Sequence, residues 1–355
     1  MATCWLAQAV GVLAVLFGAQ EDVHWLDRLI REFTALWPEW SYFSLDFQVR
    51  SLLAVLLASL VCGAVGSLVV GNRMAFFSDA LAHCAFAGIA LGFLFALLSG
   101  VRDEQQFWAL VTPIMIVFGI VVGVGIAWVR EQTNLASDTV IGVFFAGAIG
   151  FAALLRKVIR SRRLFNLEDF LFGDPVTVSA GDLVFLFVLV AITAALLVWM
   201  YNDVVFTSFN ASLARSRRVR VRLCNYAFIV LLALIVNVCL KTVGVLLINA
   251  LLIVPAATVG NVARNMRQLF WGTIVLCLLI SVFGVWLSYQ VTFPNPNNPR
   301  DPIQFGIGGT MIVSAVVLFF LSMAVEPLRR RLSPLLAHLW RRRGPEVVKH
   351  DGAKV

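Results

Sequence analysis

Apolar residues run through this chain in stretches of about twenty, parted by short charged loops. Nine stretches contain no Asp, Glu, Lys or Arg: Ser51–Val70, Ala80–Ser99, Phe107–Val129, Thr139–Leu155, Leu183–Asn202, Leu223–Leu240, Thr242–Gly260, Leu269–Val291 and Ile303–Val325. Such runs are too long for the strands of a barrel. Hydrocarbon offers a backbone N–H or C=O no partner, so a run of this length must satisfy itself as a helix. The pattern therefore predicts an all-α polytopic membrane protein with nine to ten transmembrane helices. Only Lys241 parts the sixth run from the seventh, which fits either a tight helical hairpin or one broken segment.

Composition narrows the class further. Of 355 residues, 60% are apolar and 14% charged, whereas a soluble domain carries about 25% charged residues. So few charges cannot clothe a soluble surface. Three regions follow: an N-terminal extension over 1–50, a transmembrane domain over 51–325 and a basic cytoplasmic tail over 326–355. Met1–Ala19 has no charged side chain and reads as a tenth short helix or a cleaved signal, and Trp25–Trp40 as an amphipathic interfacial segment. The net charge of +8 sits in short loops, which fits anionic lipid headgroups and argues against nucleic acid.

Basic loops stay cytoplasmic. Arg215, Arg217, Arg218, Arg220 and Arg222 form one such loop, and Arg329–Arg331 with Arg341–Arg343 form the tail. Counting crossings from these places Asn261–Gln268 inside and Thr292–Pro302 outside. The basic residues Arg156, Lys157, Arg160, Arg162 and Arg163 fall outside in the same count, against the charge rule.

An ionisable residue inside a span costs several kcal/mol and marks a functional candidate. Asp79 and His83 stand four apart at the start of the second run, one helical turn from each other on one face. A carboxylate oxygen and an imidazole nitrogen at that spacing can hold one divalent ion, and the ligand mix suits manganese, zinc or iron. The bland alternative is a helix cap beside a histidine bonded to a neighbouring carbonyl. Two ligands are fewer than a metal site needs, and a two-fold pairing of chains would supply four. Asn237 and Asn249 are possible pore-lining residues. The six cysteines form no CxxC pair and read as packing. No HExxH, GxSxG or phosphate-loop motif is present, so any energy for transport must come from another chain.

Four ordered blocks resemble the permeases of ABC-type manganese/zinc/iron importers, which are similar to type II ABC importer permeases. These are Arg73-Met74 with Ser78-Asp79-Ala80-Leu81-Ala82-His83; Ser137–Gly142; Leu171-Phe172-Gly173-Asp174 with Val178-Ser179; and Val243–Leu247 running through Leu251–Thr258 with Pro255. The likeness extends from about Ser51 to Val325. It implies a subunit of the cytoplasmic (inner) membrane, paired with a second copy or a paralogue. That pair would sit on cytoplasmic ABC ATPase subunits and receive its ion from an extracytoplasmic metal-binding protein. Asp79 and His83 match the family's metal station. No cofactor is bound permanently: a divalent metal is the cargo, and ATP belongs to the partner. The segment Ser208–Val221 corresponds to the family's ATPase coupling helix, with Ser208, Phe209, Asn210, Ala214, Arg217 and Arg218 as its notable residues. Asn210 stands where the family has Asp, Arg217-Arg218 where it has Gly, and Asn249 where it has a small apolar residue.

The chain is thus expected to be a transport subunit, and not itself an enzyme, that imports Mn, Zn or Fe by alternating access. A proton-coupled secondary carrier and an ABC permease for a metal chelate are the alternatives. The first would need further intramembrane carboxylates, and the second would lack the Asp-His pair.

Overall fold

The computed structural model describes residues 24–38, 42–72, 74–100, 104–133, 135–155, 173, 175, 178–209, 221–293 and 303–341. Its helices, in chain order, are α1 (His24–Thr34), α2 (Asp46–Gly71), α3 (Ala75–Leu98), α4 (Glu104–Gln132), α5 (Ser137–Leu154), α6 (Ala180–Phe209), α7 (Val221–Val243), α8 (Val245–Gly260), α9 (Met266–Gln290) and α10 (Ile307–Arg341). Seven are long and apolar enough to cross a bilayer, and two apolar helices, Asp138–Leu154 and Val245–Gly260, are shorter. Together they account for the nine apolar runs of the sequence. The observed helices overrun most of those runs because a helix does not stop at the first charge; α10 in particular continues through Arg329–Arg331 to Arg341. Residues 1–23, on which the tenth-helix and signal readings fall, lie outside the described residues.

The sixth and seventh runs are separate helices. The chain passes from α7 to α8 at Gly244, whose φ is 85°. That left-handed backbone is open to glycine and strained for any residue with a Cβ. Helices of 23 and 16 residues would span about 58 Å end to end, nearly twice a hydrocarbon core, so they act as two passes. Lys241 is not the break. It belongs to the last turn of α7.

Helix packing depends on small residues rather than on a hydrophobic drive that lipid would not supply. A Cβ at Gly66 in α2 would fall 2.5 Å from the Leu252 carbonyl oxygen of α8, and one at Gly63 2.9 Å from the Ile274 Cα of α9. Gly88 and Gly92 bring α3 equally close to Met115 and Val111 of α4, each with a Cα 3.1 Å from where a Cβ would sit. Cys84 and Ala87 of α3 pack with Ala148 and Ala152 of α5. These contacts fix α3 between α4 and α5. Pro255 in α8 cannot donate to the Leu251 carbonyl one turn back; the Cys277 thiol of α9 donates to it instead at 3.5 Å. The five described cysteines are all buried and free.

The helix α1 lies against the start of α2. Leu26 and Ile30 are buried, while Trp25, Leu29 and Phe33 are exposed. Asp27 pairs with Arg50 at 2.8 Å, and Thr34 donates to Asp46 at 2.9 Å. Thr292–Phe293 and Ile303–Gln304 form a two-residue antiparallel pair, Thr292 opposite Gln304, between α9 and α10. Beside it opens a cavity of about 800 Å³ lined by Tyr42, Ser51, Pro175, Ser288, Tyr289 and Thr310 among others. Burial, and then the neighbouring Tyr289, pushes the Tyr42 phenol up to about 12. It stays a neutral donor to the Gln48 carbonyl.

Candidate functional site

Asp79 lies four residues into α3 and His83 one turn further. Ser78 turns back to donate to the Ala75 carbonyl at 2.9 Å, so the serine hydroxyl is absorbed by the backbone while Asp79 projects from the helix. His83 Nε2 and Asp79 Oδ1 are 3.7 Å apart, with side-chain exposures of 31% and 45%. Neither group caps the helix: its first residue is preceded by Met74, and no side chain bonds there. Two donor atoms at this separation, each about 2.1 Å from one ion, subtend about 120° at it. The separation of the two atoms is therefore compatible with their sharing a single cation.

Two other helices complete the surroundings. The Phe145 ring of α5 meets the His83 imidazole edge-on, with centroids 4.9 Å apart, which orients the ring. From α8, Asn249 Nδ2 donates to Asp79 Oδ1 at 2.7 Å. Asn249 Oδ1 is shut off from solvent and has no hydrogen-bond partner. Among the described residues, no third His, Cys, Asp or Glu joins the pair.

The structure gathers Asp79, His83 and Asn249 and leaves Asn237 elsewhere. Asn237 is fully buried and donates to the Ala233 carbonyl at 2.6 Å within its own helix. Its amide fills the space beside Gly119 of α4, where an added Cβ would fall 2.2 Å from Nδ2. In this arrangement it joins α7 to α4. Of the coupling segment, Ser208 and Phe209 end α6, while Asn210, Ala214, Arg217 and Arg218 lie outside the described residues.

Two features were not legible as a site in the sequence. Gly173, from the Leu-Phe-Gly block, has φ of 67°, and a Cβ there would be 2.3 Å from the Val243 carbonyl oxygen. The loop thus reaches the α7–α8 break, and only a glycine fits between them. Close by in the chain, Lys241 Nζ pairs with Asp182 Oδ1 at 2.9 Å. Ser179 and Asp182 also cap α6 reciprocally. Ser179 donates to Asp182 Oδ2 from N at 3.2 Å and from Oγ at 2.7 Å, and Asp182 N donates to Ser179 Oγ at 3.2 Å. Lys241 interrupts an apolar pattern, and that interruption was the only signal for it; its partner is 59 residues away.

Seven helices long and apolar enough to cross a bilayer, with two shorter apolar ones beside them, mark a polytopic membrane protein. The chain belongs to the ABC 3 transport family, whose profile matches residues 44–326; as a permease subunit it does not itself hydrolyse ATP. The manganese import system permease protein ScaB of Streptococcus parasanguinis is 26% identical over 286 residues, 80% of this chain and 92% of that protein. The high-affinity zinc uptake system membrane protein ZnuB of Haemophilus influenzae is 26% identical over 238 residues, 67% of this chain and 86% of its own. Among solved structures, PsaBC from Streptococcus pneumoniae in complex with Fab shares the fold, with a TM-score of 0.64 and 24% identity over 81% of this chain and 95% of that one.

Proposed function

We propose that this chain is the transmembrane subunit of an ATP-driven importer that moves a divalent transition metal ion through a station built on Asp79 and His83. One observation carries the reading. Asp79 is 45% exposed within a helix of 24 residues that carries no other Asp, Glu, Lys or Arg. A carboxylate so placed is too costly to face lipid. It faces an aqueous passage or a second subunit, and a travelling cation is its natural counter-charge. The relatives named for manganese import and zinc uptake support the cargo class.

A second copy or a paralogue completes the station. The exposed face of α5 carries Gly142, Ala146 and Gly150 at intervals of four, and a Cβ at either glycine would meet nothing within 4 Å. Small residues at that spacing favour close helix pairing, and α5 also bears Phe145 beside His83. Pairing about a two-fold would double the ligand set. The ATPase partner docks on the cytoplasmic side through the segment 208–221, and an extracytoplasmic binding protein delivers the ion at the inner membrane's outer face.

Uptake of free metal ion by cells expressing the complete transporter tests this directly. Vanadate-sensitive uptake that free divalent ions compete for, and metal chelates do not, is the expected result. Uptake that resists vanadate but collapses with the proton gradient would identify a secondary carrier and overturn the reading.

A further inference from the structure

Asn249 does more than line the site, and its two amide ends point to what that is. Nδ2 is 2.7 Å from Asp79 Oδ1, so the end of the amide already reaches the carboxylate. Oδ1 is buried and makes no hydrogen bond. The ends of an asparagine amide exchange by a half-turn about its terminal torsion, a soft rotation. That half-turn sacrifices a single bond, the one to Asp79, because the oxygen has none to lose. It would bring the amide oxygen against a carboxylate oxygen, an arrangement that is repulsive unless a cation lies between them.

We propose that Asn249 is a third ligand-bearing residue of the station, that its amide turns to the ion on arrival, and that it biases the site toward manganese over zinc. The inference rests on the reading of Asp79 and His83 as a metal station and goes beyond it in naming a selectivity residue. Two arguments give the direction of the bias. An amide oxygen is a hard, neutral donor; carboxylate and carbonyl oxygens suit manganese, whereas zinc is served well by imidazole alone with few partners. The bite angle agrees. Were the amide oxygen to take the place Nδ2 holds, 2.7 Å from Asp79 Oδ1, two oxygens each about 2.2 Å from an ion would subtend about 76°, nearer the right angle of six-coordination than the tetrahedral angle of zinc. Alternating access remains possible because the amide can return to Asp79 when the ion leaves, so the empty station is not left with an uncompensated carboxylate.

The test is the ratio of zinc to manganese needed to halve radiolabelled manganese uptake, measured in cells expressing the complete transporter. Asn249→Leu keeps the side chain's bulk and removes both amide ends. It is expected to lower that ratio about tenfold or more, the scale on which changes around metal ligands register. Asn249→Asp retains an oxygen but has no N–H to give, and it is expected to keep the preference for manganese. An unchanged ratio in Asn249→Leu overturns the inference. If Asn249→Leu takes up neither ion, Asn249→Asp decides: manganese-selective uptake supports the ligand role. Loss there too would reduce Asn249 to a donor that positions Asp79, which overturns it. Asp79→Ala separates the two levels. Full uptake in that variant removes the station itself, whereas an inactive Asp79→Ala beside an unaltered Asn249→Leu ratio removes only the role of Asn249.

Discussion

Charged and polar groups inside the bundle are held in pairs, and the pairs differ in purpose. Asp79 is half-open and shares its oxygen with a neutral amide, which suits a group that must release its partner. Asp182, 11% exposed, is instead tied to Lys241 at 2.9 Å and to Ser179, which suits a fixed joint between α6 and α7. Breaking such a pair leaves one charge uncompensated. Lys241→Met is therefore expected to destabilise the folded subunit, by less than the about 3–5 kcal/mol of a fully buried pair because Lys241 is 33% exposed. Asp182→Asn added to it should recover part of the loss, read as the melting temperature in detergent. Two losses that simply add would contradict the pairing. The sequence made Asp79 and His83 visible because a charge four residues from an imidazole in an apolar run has few bland explanations. Asn249 was visible as polar but not as Asp79's neighbour, since 170 residues separate them and nothing in local spacing reports that.

At the scale of helices, apolar run length was a sufficient guide to existence and a poor one to ends. Polar residues such as Asp46, Glu104 and Gln132 are helical although they break the apolar pattern, because helical hydrogen bonding continues into the interface. The α7–α8 join was open in the sequence between a hairpin and a broken span. It is settled by Gly244's positive φ and by helix lengths that exceed one crossing. For Gly66 and Gly142, whether the helices approach closely was not legible. A glycine in a membrane helix reads the same whether it touches backbone or nothing, and here both occur. A Cβ at Gly66 meets the Leu252 oxygen at 2.5 Å, while one at Gly142 meets nothing. Gly66→Ala should force α2 from α8 and cost about 1–3 kcal/mol. Gly142→Ala should be neutral or slightly stabilising in the isolated subunit, as alanine is the better helix former. Equal melting temperatures for the two variants would contradict the packing described.

The whole molecule combines a tightly packed helical framework with a proposed station that is incomplete within one chain. Small-residue contacts lock α3 against α4 and α5, which positions Asp79 and His83 on a fixed helix while α8 brings Asn249 from behind the Gly244 break. Membrane class followed from composition; the pairing of chains does not follow from one sequence, since an isologous interface leaves no periodic trace. What the account asserts above all is that a carboxylate and an imidazole 3.7 Å apart receive the ion in transit. The decisive measurement is radiolabelled manganese and zinc uptake by the complete transporter carrying Asp79→Ala or His83→Ala, with assembly verified by co-purification of the ATPase. Uptake of both ions reduced to background in each intact, assembled variant is the predicted result, and undiminished uptake in both would contradict it.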